Sequence, residues 1–188
     1  MTIVAITFLL AAALGAAGQS SGAGRAEDRS VNVCVAADVG FGVLPLALET
    51  ASEMFAEAGV RIDWHRGLAR CPADGILVSL SDQVPSDADL PPHAMAYALP
   101  YEGHHIVIFY DRLKQKARPP QISFLLAHVL VHEVTHILQG IHRHSDRGVM
   151  KATWDGSDYK ALTWKPLAFT PEDIDLIHRG LAARATGR

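Results

Sequence analysis

One segment constrains the fold more than any other. Residues 121–139 follow Pro119-Pro120 with the longest helical pattern in the chain, and the apolar positions Ile122, Leu125, Leu126, Val129, Leu130, Ile137 and Leu138 cover much of its circumference. A helix that is apolar around most of its surface has to be buried, and Gly140 stands where the residue after a C-cap belongs. Within this helix lies His132-Glu133-Val134-Thr135-His136. Residues four apart sit one above the other, so both imidazoles leave the same face and can fill two of the roughly tetrahedral positions around a zinc ion. Glu133 is one residue, about 100°, from His132, close enough to reach a water activated there. Two His and a Glu in an apolar helix are costly to desolvate unless they are paired or coordinated, and a metal site provides that compensation. The competing reading, core histidines hydrogen-bonded to backbone carbonyls, leaves the Glu unexplained.

The remaining segments predict one α+β domain around this helix. The chain has 188 residues and a mass of 20.3 kDa, near the common single-domain size. Residues 31–35 alternate as a strand, 43–58 place Leu44, Leu48, Ala51, Met54, Phe55 and Ala58 on one helical face ended by Gly59, and 60–64 alternate again. Strand, helix and strand with short links suggest a parallel pair with a right-handed crossover. Residues 75–80 and 104–110 read as further strands, with a Pro/Asp/Ser-rich surface loop over 81–92 between them. A last helix opens with Thr170 as N-cap, Pro171 at its first position and acids in its first turn, then runs through Ile174, Ile177 and Leu181. The expectation is a mixed four-stranded sheet with three helices and irregular chain over 141–168.

Composition narrows the partners. Seventeen basic against twenty acidic residues give a net charge of −3, which carries no electrostatic footprint for nucleic acid or an anionic membrane surface. Residues 3–17, IVAITFLLAAALGAA, form an apolar run too short for a membrane span of about 20 residues and end in small residues. They read as a signal peptide over 1–18, followed by a flexible lead-in over 19–30 and the domain over 31–188. No Lys or Arg precedes Arg25, so an uncleaved anchor or buried helix is the competing reading. Export predicts a secreted or periplasmic protein without stable membrane association after cleavage. In an oxidising compartment Cys34 and Cys71 can form one disulfide; two buried free thiols are the alternative.

Five of the ten histidines, at 128, 132, 136, 142 and 144, fall within seventeen residues. A catalytic zinc needs a third protein ligand and one open position, and His142 and His144 are both available just after Gly140. The stretch from 132 to 150, HEVTHILQGIHRHSDRGVM, resembles the metzincin clan of zinc metallopeptidases, in which a two-His helix leads through a Gly turn to a third His and then a Met beneath the metal. It is also similar to small secreted bacterial metalloprotease-like proteins with a His-Ser-x-x-Gly-[Ile/Val]-Met string. The resemblance implies a zincin-like, metzincin-type single domain with Zn²⁺ on His132, His136 and a third His. It further implies Glu133 as general base, Met150 as a hydrophobic floor, and a peptide or protein substrate.

Strict metzincin spacing puts Gly at 139, where this chain has Gln, and the third His at 142; His144 heads the His-Ser pair, and the likeness to the bacterial group favours it. Ala152 stands where some metzincins carry a Tyr, so a Tyr partner would come from elsewhere, with Tyr159 a candidate. His128, one turn before His132, reads as packed or hydrogen-bonded. His104 and His105 open a strand that in this clan would flank the cleft, but the two residues themselves read as a polar strand entry outside the site. An acidic third ligand, Asp146, Asp155 or Asp158 as in aspzincins or Glu172 as in gluzincins, is the alternative within peptidases; Glu172 is otherwise a first-turn acid completing a helix cap. A binding protein on an inactive zincin scaffold is the alternative outside them.

Overall fold

A computed structural model of the chain describes residues 30–82, 94–98 and 104–186. The expected signal peptide, the lead-in up to residue 29 and most of the 81–92 loop lie outside the described residues. Strand β1 (Ser30–Ala36), helix α1 (Val43–Glu57) and strand β2 (Arg61–Arg66) follow in order, and β1 pairs with β2 in parallel with Val33 opposite Trp64. Parallel neighbours need a crossover, which α1 supplies. Strand β3 (Ile76–Ser81) is parallel to β1 with Ile76 opposite Val33. Strand β4 (Ala96–Ala98) precedes strand β5 (His105–Phe109); β5 is parallel to β3, and β4 is antiparallel to β5 with Tyr97 opposite Val107. The sheet order is β2-β1-β3-β5-β4.

Burial alternates along these strands. Val33, Ile76, Val78, Ile106 and Ile108 are buried, whereas Leu77, Ser79 and Val107, one step along, are only partly covered. One face therefore carries the helices and the other stays partly open. Helix α2 (Tyr110–Lys116) follows β5 directly, and helix α3 (Gln121–Gln139) then packs against α1, α2, β4 and β5. Helix α4 (Gly156–Ala161) and helix α5 (Pro171–Ala185) complete the chain, with α5 also packed on α3. Enclosed on several sides, α3 buries Leu125, Leu126, Leu130, Val134 and Leu138 completely. Each such side chain contributes about 1.5–3 kcal/mol relative to exposure, which offsets the desolvation of the polar residues in the same helix.

The structure corrects the expected sheet and helix content. Among the described residues five strands form, not four; β4 is only three residues long, two of them Ala, so it has no readable alternation and is a strand only because β5 pairs with it. Two short helices are added. Tyr110, expected to end a strand, opens α2, which carries Asp111 in its first turn and Lys114 and Lys116 in its last, as the helix dipole favours. Helix α4 lies inside the segment expected to be irregular and is started by a capping box between Asp155 and Asp158. At α5 the cap is Thr170 with Asp173, not Glu172, because only the third helical residue reaches back to the N-cap amide. Cys34 and Cys71 are disulfide-bonded, joining β1 to the segment before β3.

Candidate metal centre

Helix α3 presents His132 and His136 one turn apart. The Nδ1 of His132 lies 2.8 Å from the Val149 carbonyl oxygen, and that of His136 lies 3.3 Å from the Ile141 carbonyl oxygen. A carbonyl only accepts, so each Nδ1 carries the proton and each Nε2 is left with a lone pair. The two Nε2 atoms stand 3.1 Å apart, where two acceptors repel unless a cation lies between them. Two nitrogens bound to one tetrahedral zinc at about 2.05 Å are about 3.3 Å from each other. The donor set therefore fits zinc, and carbonyls behind ligating imidazoles are the usual means of fixing their tautomer.

His144 completes the group: one nitrogen each from His132, His136 and His144 lie within 4.8 Å of one another. Its ring stacks on that of His132 at 5.2 Å between centroids and meets that of His136 edge-on at 5.0 Å. His142 is exposed and lines the same cleft, its ring parallel to that of His136 at 5.1 Å and edge-on to that of His144 at 5.0 Å, but it is not one of the three residues whose nitrogens converge. The local cause lies at the end of α3. Gln139 remains helical, and Gly140 ends the helix with φ 67°, so the chain turns one residue later than strict metzincin spacing requires. The loop is then drawn back by the Ser145 amide, which donates to the Met150 carbonyl at 2.8 Å. Gly148, at φ 76°, lets the Val149 amide reach the Ala168 carbonyl at 3.1 Å while the Val149 carbonyl faces His132. Met150, expected as a hydrophobic floor, is fully buried, and the carbonyl of its neighbour Val149 meets His132.

The cleft over these imidazoles has a volume of about 390 Å³, with Met95, Tyr97, Val129, Glu133, Trp154 and Tyr159 among the residues that line it. Burial holds the imidazole pKa down to about 4 at His132 and about 3 at His136, so both are neutral, the form that binds metal. Burial, with a smaller push from His142, also lowers that of His144. Burial alone raises Glu133 to about 8.

The other candidates fall outside the imidazole group. His128 is fully buried between the Phe124 carbonyl and the Leu167 amide. Asp146 is exposed, Asp155 and Asp158 pair with Lys151 at 2.8 and 2.5 Å, and Glu172 pairs with Arg143 at 2.6 Å. Among the described residues, the metal-capable group contains no carboxylate. His104 and His105 do not line the cleft; β4, from the sheet edge, takes the flanking position instead. Tyr159 lines the cleft, its hydroxyl 3.9 Å from the Met95 sulfur. Met95, Tyr97 and Trp154 were not readable as cleft residues, since nothing local marks them. Asp173 was visible only as an acid in a helix's first turn.

No protein-family model matches the sequence, and no curated protein matches it. Among solved structures, the fold is similar to the crystal structure of an archaemetzincin from Methanopyrus kandleri. The likeness has a TM-score of 0.57 at 17% sequence identity and covers 83% of this chain and 97% of that one. At that identity it bears on the fold alone, an α+β arrangement similar to that of the archaemetzincin.

Proposed function

We propose that this protein is a zinc-dependent metallopeptidase, with His132, His136 and His144 as the ligands of Zn²⁺ and Glu133 as general base. The observation that carries the reading is the pair of Nε2 lone pairs 3.1 Å apart, each ring fixed from behind by a carbonyl, with His144 closing the group. A structural histidine pair would share a proton across that gap, and the carbonyls leave no proton to share. The fold likeness to an archaemetzincin supports the same conclusion.

Zinc, if held by His132, His136 and His144, would supply Lewis-acid polarisation of a carbonyl and would acidify a water. Glu133 takes the proton of the attacking water on a carboxylate oxygen and returns it to the leaving amine. The apolar side chains of Val129 and Trp154 line the same cleft as that carboxylate. Strand β4 pairs with β5 along one edge and ends the sheet order, so its other edge is suited to an extended peptide that adds as a strand. The reading includes export; the Cys34–Cys71 disulfide supports an oxidising compartment.

The test is to measure bound zinc and cleavage of an unfolded protein substrate in wild type, Glu133→Gln, His142→Ala and His144→Ala. Glu133→Gln is expected to keep zinc and lose cleavage by about a hundredfold or more. His144→Ala is expected to lose zinc, and His142→Ala to keep it. Folded wild type that binds no zinc overturns the reading, and loss of metal in His142→Ala alone reassigns the third ligand.

A further inference from the structure

His132 and His136 are held by a buried helix and by carbonyls on their Nδ1 atoms, whereas His144 stands on a loop without regular structure. Its placement therefore depends on what fixes that loop. Both neighbours of His144 in the chain converge on one carboxylate. Ser145 Oγ donates to Asp173 Oδ1 at 2.6 Å, and Arg143 Nη1 donates to the same oxygen at 3.0 Å. Arg143 also donates to Ser145 Oγ at 3.2 Å and, through its other terminal nitrogen, to Glu172 at 2.6 Å.

Asp173 divides its two oxygens between two tasks. Oδ2 accepts from the Thr170 amide at 2.9 Å and the Thr170 hydroxyl at 2.7 Å, which is the α5 cap. Oδ1 is not needed for capping and goes wholly to the loop. The side chain is fully buried, and a carboxylate so placed is tolerated only when its lone pairs are met by well-aligned donors. Its backbone carbonyl also accepts from Gln139 Nε2 at 3.3 Å, so the last residue of α3, the loop and the start of α5 meet at one residue. A helix cap alone would be satisfied by Thr170 and would not require Arg143 and Ser145 to close on the other oxygen.

We infer that Asp173 is a positioning residue for the metal centre: by gripping Arg143 and Ser145 it holds His144 between them in register with His132 and His136. The inference rests on the reading of His144 as the third zinc ligand. Partners that orient a ligand from behind typically change metal affinity by 10–100-fold when removed, and here the grip acts through the backbone on either side of the ligand.

The experiment uses the full chain and two readouts besides turnover, the zinc dissociation constant by chelator competition and the visible absorption of the Co²⁺-substituted protein, which reports coordination number. Asp173→Asn is expected to weaken zinc binding about tenfold or more and to shift the Co²⁺ spectrum toward higher coordination, water replacing an imidazole. Thr170→Ala, which weakens the cap but leaves Oδ1 its partners, is expected to lower the Tm without changing either readout by more than about threefold, less than the loss expected from the orienting contacts. Ser145→Ala leaves the cap whole and serves should Asp173→Asn fail to fold; it is expected to weaken zinc binding severalfold, and Ser145→Thr to restore it. Wild-type affinity and spectrum in Asp173→Asn or Ser145→Ala overturn the inference, as does an equal loss in Thr170→Ala. Wild type that binds neither metal overturns the metallopeptidase reading itself.

Discussion

His128 uses both ring nitrogens, donating from Nδ1 to the Phe124 carbonyl at 2.7 Å and accepting at Nε2 from the Leu167 amide at 3.0 Å. It ties the segment before α5 to α3 and has no lone pair left for a metal. Burial lowers its pKa to about 4 in the folded chain, against about 6.5 unfolded. Between those values the unfolded chain holds a proton that the folded chain does not, so stability is complete above about pH 6.5 and declines as pH falls toward 4, by roughly 3 kcal/mol for this residue. His132 and His136 act in the same direction, while Glu133, raised to about 8, acts in the opposite one and offsets part of the loss. Urea unfolding of the metal-free protein at pH 7.5 and pH 5 is expected to show the loss, and His128→Gln to reduce it; an unchanged pH dependence in that variant would count against the account. At this scale the His132, Glu133 and His136 set was legible because helical periodicity is local. The choice between His142 and His144 was not, because a loop's path depends on distant partners such as Asp173 and Met150.

Two glycines show how closely the elements are fitted around the site. A Cβ on Gly180 of α5 would collide with the Leu138 carbonyl of α3, so the two helices approach backbone to backbone. A Cβ on Gly148 would collide with the Ala168 carbonyl, at a φ of 76° that other residues rarely adopt. Gly148→Ala is therefore expected to cost about 1–3 kcal/mol of stability. It is also expected to weaken zinc binding, because the Val149 carbonyl that orients His132 follows directly. Thermal denaturation and chelator competition measure the two effects, and wild-type values for both would refute the close fit. The long elements β1, α1, β3, β5, α3 and α5 could be read from period and capping. Strand β4, a run of Ala-Tyr-Ala, could not, since its extended state is conferred by β5 beside it.

Across the whole molecule, one sheet face supports α1 and α3, and the three imidazoles that could hold a metal lie where α3, the turn carrying Val149 and the edge strand β4 meet. A metal that binds only the folded chain stabilises it by about 4 kcal/mol when free zinc is a thousandfold above its dissociation constant. For a domain of this size that corresponds to roughly 8–16 °C in Tm. Chelation is expected to lower the wild-type Tm on that scale, to do the same in Glu133→Gln, and to have much less effect in His144→Ala. Equal shifts in all three would remove His144 from the site. The sequence by itself determined a buried helix bearing two imidazoles and a carboxylate, because helical geometry and desolvation operate within a few residues. Only the tertiary structure brought His144 beside them, set β4 along the cleft and joined Arg143 and Ser145 to Asp173, because each depends on groups brought together from positions far apart in the chain.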